Sequence, residues 1–118
     1  MKKINIVKEN TEYNRIISEV KPYKFKDYIL YLYKNEDIKN YQFGFSVGKK
    51  IGKAVVRNKI KRQLKNILDK NLYKNGFKCI IIVRKIILTK SFEEMKINLN
   101  EALDKINIKK EIKNEKIK

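Results

Sequence analysis

The sequence predicts a single α+β domain, an α-β sandwich in which one helix crosses over between strands. Three observations lead to this fold class: short segments rich in β-branched and aromatic residues, longer segments with apolar residues at helical spacing, and the interleaving of the two kinds along the chain. The length of 118 residues suits one compact domain. We place that domain at residues 1–108 and expect the lysine-rich residues 109–118 to form a frayed tail.

The first predicted helix follows a polar and basic N-terminal stretch. Asn10 or Thr11 supplies its N-cap, Glu12 lies in its first turn, and it runs to about Val20. Pro22 closes the helix, because a proline lacks the amide hydrogen that the helix would need.

Two strands are predicted next, over residues 28–33 and 41–47. Both are rich in β-branched and aromatic residues, and the polar turn between them predicts an antiparallel pair. In the second strand the large side chains share one face, which we expect to be core: Tyr41, Phe43, Phe45 and Val47. Gln42, Gly44 and Ser46 share the other, which predicts a shallow face where an extended ligand could approach the backbone.

A second helix is predicted from Lys53 to about Asn71. Its apolar residues recur at spacings of four, four and three, which predicts a buried stripe made of Val56, Ile60, Leu64 and Ile67. Asn75 and Gly76 supply the turn that follows.

The remaining elements are a buried strand over residues 77–85 and a last helix. Ser91 caps that helix, with Glu94 three residues on as the partner in a capping box. Its predicted apolar face consists of Phe92, Met95, Leu99, Leu103 and Ile106. The predicted order of elements is therefore helix, two or three strands, helix, strand, helix.

The charge of the chain points to a polyanionic partner. Thirty basic side chains against 13 acidic ones give a formal charge of +17, which repels itself unless an anion offsets it. Residues 38–68 contain no Asp or Glu, whereas nine cations lie there: Lys39, Lys49, Lys50, Lys53, Arg57, Lys59, Lys61, Arg62 and Lys65. A bias towards lysine in the whole chain does not explain this clustering, so we interpret the stretch as a binding surface.

The second helix carries the strongest functional pattern. Placing residues at 100° steps puts one polar set on a single arc, roughly opposite the predicted buried stripe: Arg57, Asn58, Lys61, Arg62 and Lys65. We call this set the cationic face. Two of the four arginines lie on it, and a guanidinium donates paired hydrogen bonds to a phosphate in a way that lysine does not. The glycines of the preceding segment 48–52 permit close approach of backbone amides to phosphate.

Segment 45–65, FSVGKKIGKAVVRNKIKRQLK, resembles the signature of bacterial ribonuclease P proteins. The core of the resemblance is Arg57-Asn58 followed by Lys61-Arg62, and it extends over about residues 7–107. It implies the element order α-β-β-β-α-β-α with a left-handed β-α-β crossover, as in the second domain of one small-subunit ribosomal protein. Residue patterns alone would predict the usual right-handed connection.

The resemblance also implies two RNA sites and the role of the chain. Residues that the resemblance places against the catalytic RNA are Lys50, Arg57, Asn58, Lys61, Arg62 and Lys65. We add Lys49 and Lys53 of the adjoining basic stretch to this RNA site. Tyr13, Ile17 and Tyr31 stand where the family lines a cleft for the 5′ leader of precursor tRNA. Ile17 departs from a frequent Phe, which loses aromatic stacking. Packing of Tyr13 and Tyr31 within the fold is an equally weighted alternative.

The implied enzyme is the ribonucleoprotein ribonuclease P, of which this chain would be the protein subunit. The chain has no histidine, and its acidic residues are mostly scattered, so we predict no catalytic residue on it. Hydrolysis and the Mg²⁺ that it needs are expected on the RNA. The expected partners are the catalytic RNA and precursor tRNA, with no membrane and no obligate protein partner.

Other properties fit a cytoplasmic protein, and other classes of function remain open. The lone Cys79 forms no internal disulfide, and there is no apolar run long enough for a signal peptide or a membrane span. A ribosomal-type RNA-binding protein fits the charge and size equally well. A double-stranded DNA binder would need a second short helix before residue 53, and a membrane-surface helix would need a free apolar face.

Overall fold

The computed structural model describes residues 1–8 and 10–110 of the chain. The helices and strands are, in order, α1 Asn10–Glu19, β1 Pro22–Lys24, β2 Tyr28–Lys34, β3 Tyr41–Ser46, α2 Ala54–Asp69, β4 Phe77–Val83 and α3 Phe92–Ile106. Short 3-10 helices lie at Lys3–Asn5, Lys49–Ile51 and Lys85–Thr89. The predicted order of elements is confirmed, with three strands before α2.

The four strands form one sheet in the order β1-β2-β4-β3. β2 is antiparallel to both β1 and β4, whereas β3 is parallel to β4. The predicted antiparallel pairing of β2 with β3 is therefore wrong, because β4 lies between them. β4 is buried on both of its faces, as Cys79, Ile80 and Ile81 show, which suits a central position rather than an edge.

Two backbone hydrogen bonds at Gly76 explain how β4 lies between β2 and β3, which are neighbours in the sequence. The amide of Asn35, just after β2, donates to the carbonyl of Gly76, and the amide of Gly76 donates to the carbonyl of Asn40, just before β3. Gly76 has φ 88, a left-handed conformation that glycine adopts without strain. The turn leading into β4 thus holds the two ends of the polar connection apart.

Helices cover the sheet on both sides. α2 and α3 pack on one face, where the main core joins the large side chains of the sheet to Leu64, Ile67, Leu99 and Leu103. α1 covers the other face, where Ile16 and Ile80 are fully buried. α2 is the crossover that connects the adjacent parallel strands β3 and β4.

Two residues of the predicted apolar stripes are not buried. Val56 on α2 is 37% exposed and Phe92 at the start of α3 is 39% exposed, while Leu68 and Ala102 are buried in the core instead. Both exposed residues lie in the first turn of their helix, beyond the part that the sheet covers. The capping box of Ser91 and Glu94 is confirmed in both of its hydrogen bonds.

The chain remains paired just past the predicted end of the domain. Lys109 forms a bridge with Tyr73, and the amide of Lys110 donates to the carbonyl of Leu72. The rest of the predicted tail, residues 111–118, lies outside the described residues.

Candidate RNA interface

The cationic face runs along one side of α2. Asn58 and Arg62 are exposed, whereas Arg57, Lys61 and Lys65 are partly buried in a row beside the core. The row is thus adjacent to the buried stripe and not roughly opposite to it, as predicted. Steps of 100° per residue already place Arg57 beside Leu64, and buried Leu68 falls between Arg57 and Lys61, so the row and the stripe share a border.

Contacts within the protein orient two members of the row. The Nε of Arg57 donates to the carbonyl oxygen of Gly52 at 3.1 Å, which ties the helix to the turn before it. The Nζ of Lys65 lies 5.9 Å from the centre of the Phe45 ring, within reach of a cation-π interaction. Among residues 1–8 and 10–110 no other hydrogen bond or ion pair engages these two side chains, so their remaining N–H groups can meet an incoming anion.

The N-terminus of α2 is built to attract negative charge. Lys53 occupies the N-cap without a side-chain hydrogen bond, and the first turn contains no acidic residue. Free amides and the helix dipole therefore meet solvent at this end. Lys49, Lys50 and Lys53 are exposed beside it, and buried Ile51 anchors the turn that carries them. The predicted basic residues before the helix and on it thus form one continuous surface.

The three predicted leader-binding residues meet on the other face of the sheet. Tyr13, Ile17 and Tyr31 are all half-buried and pack around Ile16 and Ile80. We call these five residues the α1 cluster. Whether the three half-buried side chains contact RNA stays a prediction, because the cluster also packs α1 onto the sheet.

Tyr13 is the most constrained member of the α1 cluster. Its hydroxyl accepts a hydrogen bond from the amide of Phe45 at 2.9 Å and donates to the carbonyl of Phe45 at 3.4 Å. Burial raises the pKa of the Tyr13 phenol, and the bond from the Phe45 amide lowers it in part. The hydroxyl is therefore neutral at physiological pH, and its hydrogen bonds hold α1 to the backbone of β3.

Gly44 makes room for the Tyr13 ring. A Cβ at this position would lie 2.8 Å from the Cζ and hydroxyl oxygen of Tyr13 and 2.7 Å from a methyl group of Ile80. The small face of β3, predicted to be open, is thus occupied at Gly44 by an aromatic side chain. A ligand on this side would contact the α1 cluster rather than the bare strand.

Ionic groups at the border of the α1 cluster were not anticipated. The Arg15 guanidinium lies 5.2 Å from the centre of the Tyr33 ring and pairs with Glu12 and Glu19 on its own helix. Glu12 also pairs with Lys78 on β4. The spacing of three and four residues between Arg15 and the two glutamates is the signal that could have revealed this network.

The described residues do not form a metal site. Among residues 1–8 and 10–110, no group of three or more His, Cys, Asp or Glu side chains is placed to hold an ion. Within the same ranges, no helix is both long enough and apolar enough to cross a bilayer.

Fold and charge together define a small basic α+β protein whose crossover helix presents cations and free amides on one continuous surface. The family model described as Ribonuclease P matches residues 1–107 of the chain. The chain belongs to the ribonuclease P protein family. A comparison with curated proteins found no match.

The fold of the chain is similar to solved structures of bacterial ribonuclease P proteins. A Staphylococcus aureus RNase P protein mutant with defective mRNA degradation activity is 26% identical, with a TM-score of 0.81 over 90% of this chain and 91% of that one. The S. aureus RNase P protein is 25% identical, with a TM-score of 0.80 over 88% and 96%. The Thermotoga maritima protein is 25% identical, with a TM-score of 0.75 over 84% and 94%.

Proposed function

We propose that this protein binds the catalytic RNA of ribonuclease P through the cationic face and holds the 5′ leader of precursor tRNA at the α1 cluster. In this way it aids the hydrolytic removal of the leader, which gives the mature 5′ end of the tRNA. Membership of the family supports the role in ribonuclease P. The observation that carries the assignment of α2 is its surface, where five polar or cationic residues lie together with the uncapped first turn. The carboxylate of the helix, Asp69, is at its last residue and pairs with the N-terminal amine of Met1 at 2.8 Å.

Phosphates would relieve the electrostatic cost of this surface. Arg57, Lys61 and Lys65 succeed each other at spacings of four, and like charges at that spacing destabilise a helix by a few tenths of a kcal/mol per pair, roughly. Binding RNA replaces that repulsion with charge-assisted hydrogen bonds and releases counterions from the RNA. Arg62 adds a fork of N–H donors suited to two oxygens of one phosphate.

The α1 cluster offers a different kind of contact, suited to a single strand. Its half-buried tyrosine rings and Ile17 provide apolar area on which bases can pack irrespective of sequence. Leaders differ in sequence from one tRNA to another, so a site that recognises the flat faces of bases fits this substrate.

Catalysis is assigned to the RNA in this proposal. The chain has no histidine, and the two carboxylates of α1 beside the proposed leader site, Glu12 and Glu19, are engaged in ion pairs with Arg15. Mg²⁺ would accordingly be held mainly by RNA phosphates, which are hard oxygen ligands of the type that it prefers. The contribution of the protein is positioning of the leader and neutralisation of charge.

Reconstitution tests this function. The full chain is combined with a bacterial ribonuclease P RNA at low Mg²⁺, and cleavage of a precursor tRNA at its 5′ end is measured. We expect the chain to stimulate cleavage and the double variant Arg57→Ala, Arg62→Ala to lose most of the stimulation. The matched control is Arg84→Ala, which removes an arginine that donates to the Phe25 carbonyl away from α2. An unstimulated reaction would favour an RNA-binding protein without a role in cleavage.

A further inference from the structure

An apolar groove lies on the flank of α2 away from the row of Arg57, Lys61 and Lys65. Residues of three elements line it: Val55 and Val56 of α2, Leu88 of the 3-10 helix before α3, and Phe92 of α3. Val55 is 80% exposed and Leu88 is 49% exposed. The groove has a cavity volume of about 270 Å³.

The clustering of these residues is what requires an explanation. The described residues include eight large apolar side chains that are exposed, and four of them border this one groove. Single exposed apolar residues are ordinary, whereas a contiguous patch marks a binding surface. Helical spacing places Val56 and Phe92 on the buried stripes, yet the fold leaves both uncovered. A partner that covers the groove would complete the burial that their pattern predicts.

The charges around the groove indicate the chemistry of that partner. Lys59 and Lys90 stand at its border, Gln63 supplies a donor and an acceptor, and no acidic residue lines it. A second copy of this chain, itself at a formal +17, would be repelled. An apolar floor between two cations matches a nucleobase, which presents flat apolar faces while its backbone carries phosphates on both sides.

Position and size support the same ligand. Val55 and Asn58 stand three residues apart on α2 and are neighbours on its surface, so the groove borders the exposed side of the cationic face, which is proposed to contact the catalytic RNA. Its volume is slightly below the range of about 300–1,000 Å³ that is usual for pockets that enclose a drug-sized molecule. One planar group fits such a space better than a docking helix does.

We propose that this groove takes one unpaired base of the catalytic RNA, with the flanking phosphates on Lys59 and Lys90. The proposal rests on the RNA binding proposed above and adds a contact that recognises a single-stranded nucleotide. The cationic face holds phosphates irrespective of base pairing, whereas the groove requires a base that has left its helix. It would therefore fix where along the RNA the protein docks.

The dependence of affinity on salt separates this apolar contact from phosphate contacts. The dissociation constant of the full chain for a bacterial ribonuclease P RNA is measured at several salt concentrations, with and without Val55→Ser and Leu88→Ser combined. We expect the double variant to bind about five- to tenfold more weakly. The slope of log K against log salt should not change, because no phosphate contact is lost. The pair Lys59→Ala and Lys90→Ala should instead lower the magnitude of the slope by about two.

Matched controls use exposed apolar residues outside the groove. Leu72, 61% exposed, and Ile97, 49% exposed, are both replaced by Ser, and the affinity should equal that of the wild type. Thermal unfolding of each variant checks that the fold is retained. Weak binding by the control as well would mean that apolar surface acts nonspecifically, and the groove would lose its assignment.

Crosslinking in an otherwise unchanged chain gives an independent test. A photoreactive benzophenone amino acid in place of Leu88 should crosslink to an unpaired nucleotide of the catalytic RNA, mapped by primer extension. Wild-type RNA affinity in the groove variants, or crosslinks confined to base-paired RNA, would overturn the inference while leaving the proposed function intact. Self-association that the groove variants abolish would assign the groove to a protein contact instead. If the wild type itself fails to bind the RNA, the proposed function fails first.

Discussion

The hydroxyl of Tyr13 closes the edge of β3 at Phe45, since it accepts from the Phe45 amide at 2.9 Å and donates to the Phe45 carbonyl at 3.4 Å. The ring of the same Phe45 lies 5.9 Å from the ammonium group of Lys65 on α2. One residue of the edge strand therefore touches both the α1 cluster and the cationic face. A substitution in the α1 cluster should disturb the Tyr13–Phe45 hydrogen bonds, whereas a substitution on the cationic face should disturb the contact of Lys65 with Phe45. The effects of the two kinds of substitution can therefore be told apart.

Replacing Tyr13 by Phe should lower stability but spare binding of the leader. The change removes the hydroxyl and leaves the amide of Phe45 without its partner, at a cost of about 1–2 kcal/mol in the free energy of unfolding. The ring remains available to a base. Urea unfolding measures the first effect, and affinity for a single-stranded leader oligonucleotide measures the second. Lost affinity at unchanged stability would mean that the hydroxyl contacts RNA and not the strand.

Gly44→Ala should displace the Tyr13 ring and weaken both stability and leader affinity. The new Cβ would lie 2.8 Å from the ring and 2.7 Å from Ile80, so one of the two side chains must move. Gly48→Ala is the matched control, because a Cβ there meets nothing within 4 Å and φ is −71. Comparing the two variants by urea unfolding and leader titration checks this. Equal behaviour would show that the α1 cluster tolerates repacking.

The capping box of α3 predicts a dependence of stability on pH. The Glu94 carboxylate accepts from the Ser91 amide at 2.9 Å, and this bond lowers the pKa of Glu94 below its ordinary 4.5. A lowered pKa means that the contribution is present above 4.5 and is lost as the pH falls through the value in the folded state. Glu94→Gln should therefore be less stable than the wild type near pH 7, and the gap should narrow below pH 4.5. The difference in the free energy of unfolding between the wild type and Glu94→Gln is measured by urea unfolding at several pH values. A difference that stays constant with pH would mean that packing, and not the charge of Glu94, causes it.

Arg62→Ala should reduce the salt dependence of RNA binding without changing the fold. Arg62 is exposed and forms no hydrogen bond or ion pair with any residue in the described ranges. Losing one phosphate contact lowers the slope of log K against log salt by about one. Arg84→Ala should leave the slope unchanged, since that guanidinium bonds the Phe25 carbonyl. Identical slopes for both variants would remove Arg62 from the interface.

The elements that depend on local signals were predictable from the sequence. Ser91 and Glu94 stand three residues apart and form their capping box from adjacent backbone groups alone. The buried positions Ile60, Leu64 and Ile67 follow from helical spacing. Which strands pair with each other depends on contacts between residues far apart in the sequence. The position of β4 between β2 and β3 could therefore not be predicted from local patterns.

The candidate sites were predictable to different extents. The cations of α2 follow from charge and spacing, and their position beside the core follows from the same 100° steps, which place Arg57 next to buried Leu64 although the prediction set the two sets roughly opposite. Convergence of Tyr13 and Tyr31 from different elements came from the family resemblance. The exposure of Val56 and Phe92 could not be predicted, because periodicity does not show where the neighbouring layer ends.

The most direct test of RNA binding by the cationic face is the affinity of the full chain for a bacterial ribonuclease P RNA at 50 and 200 mM monovalent salt. Six or more phosphate contacts should make binding weaker by a factor on the order of 10³ across this range. The double variant Arg57→Ala, Arg62→Ala should show a smaller loss. An affinity that does not change between the two salt concentrations would contradict the account.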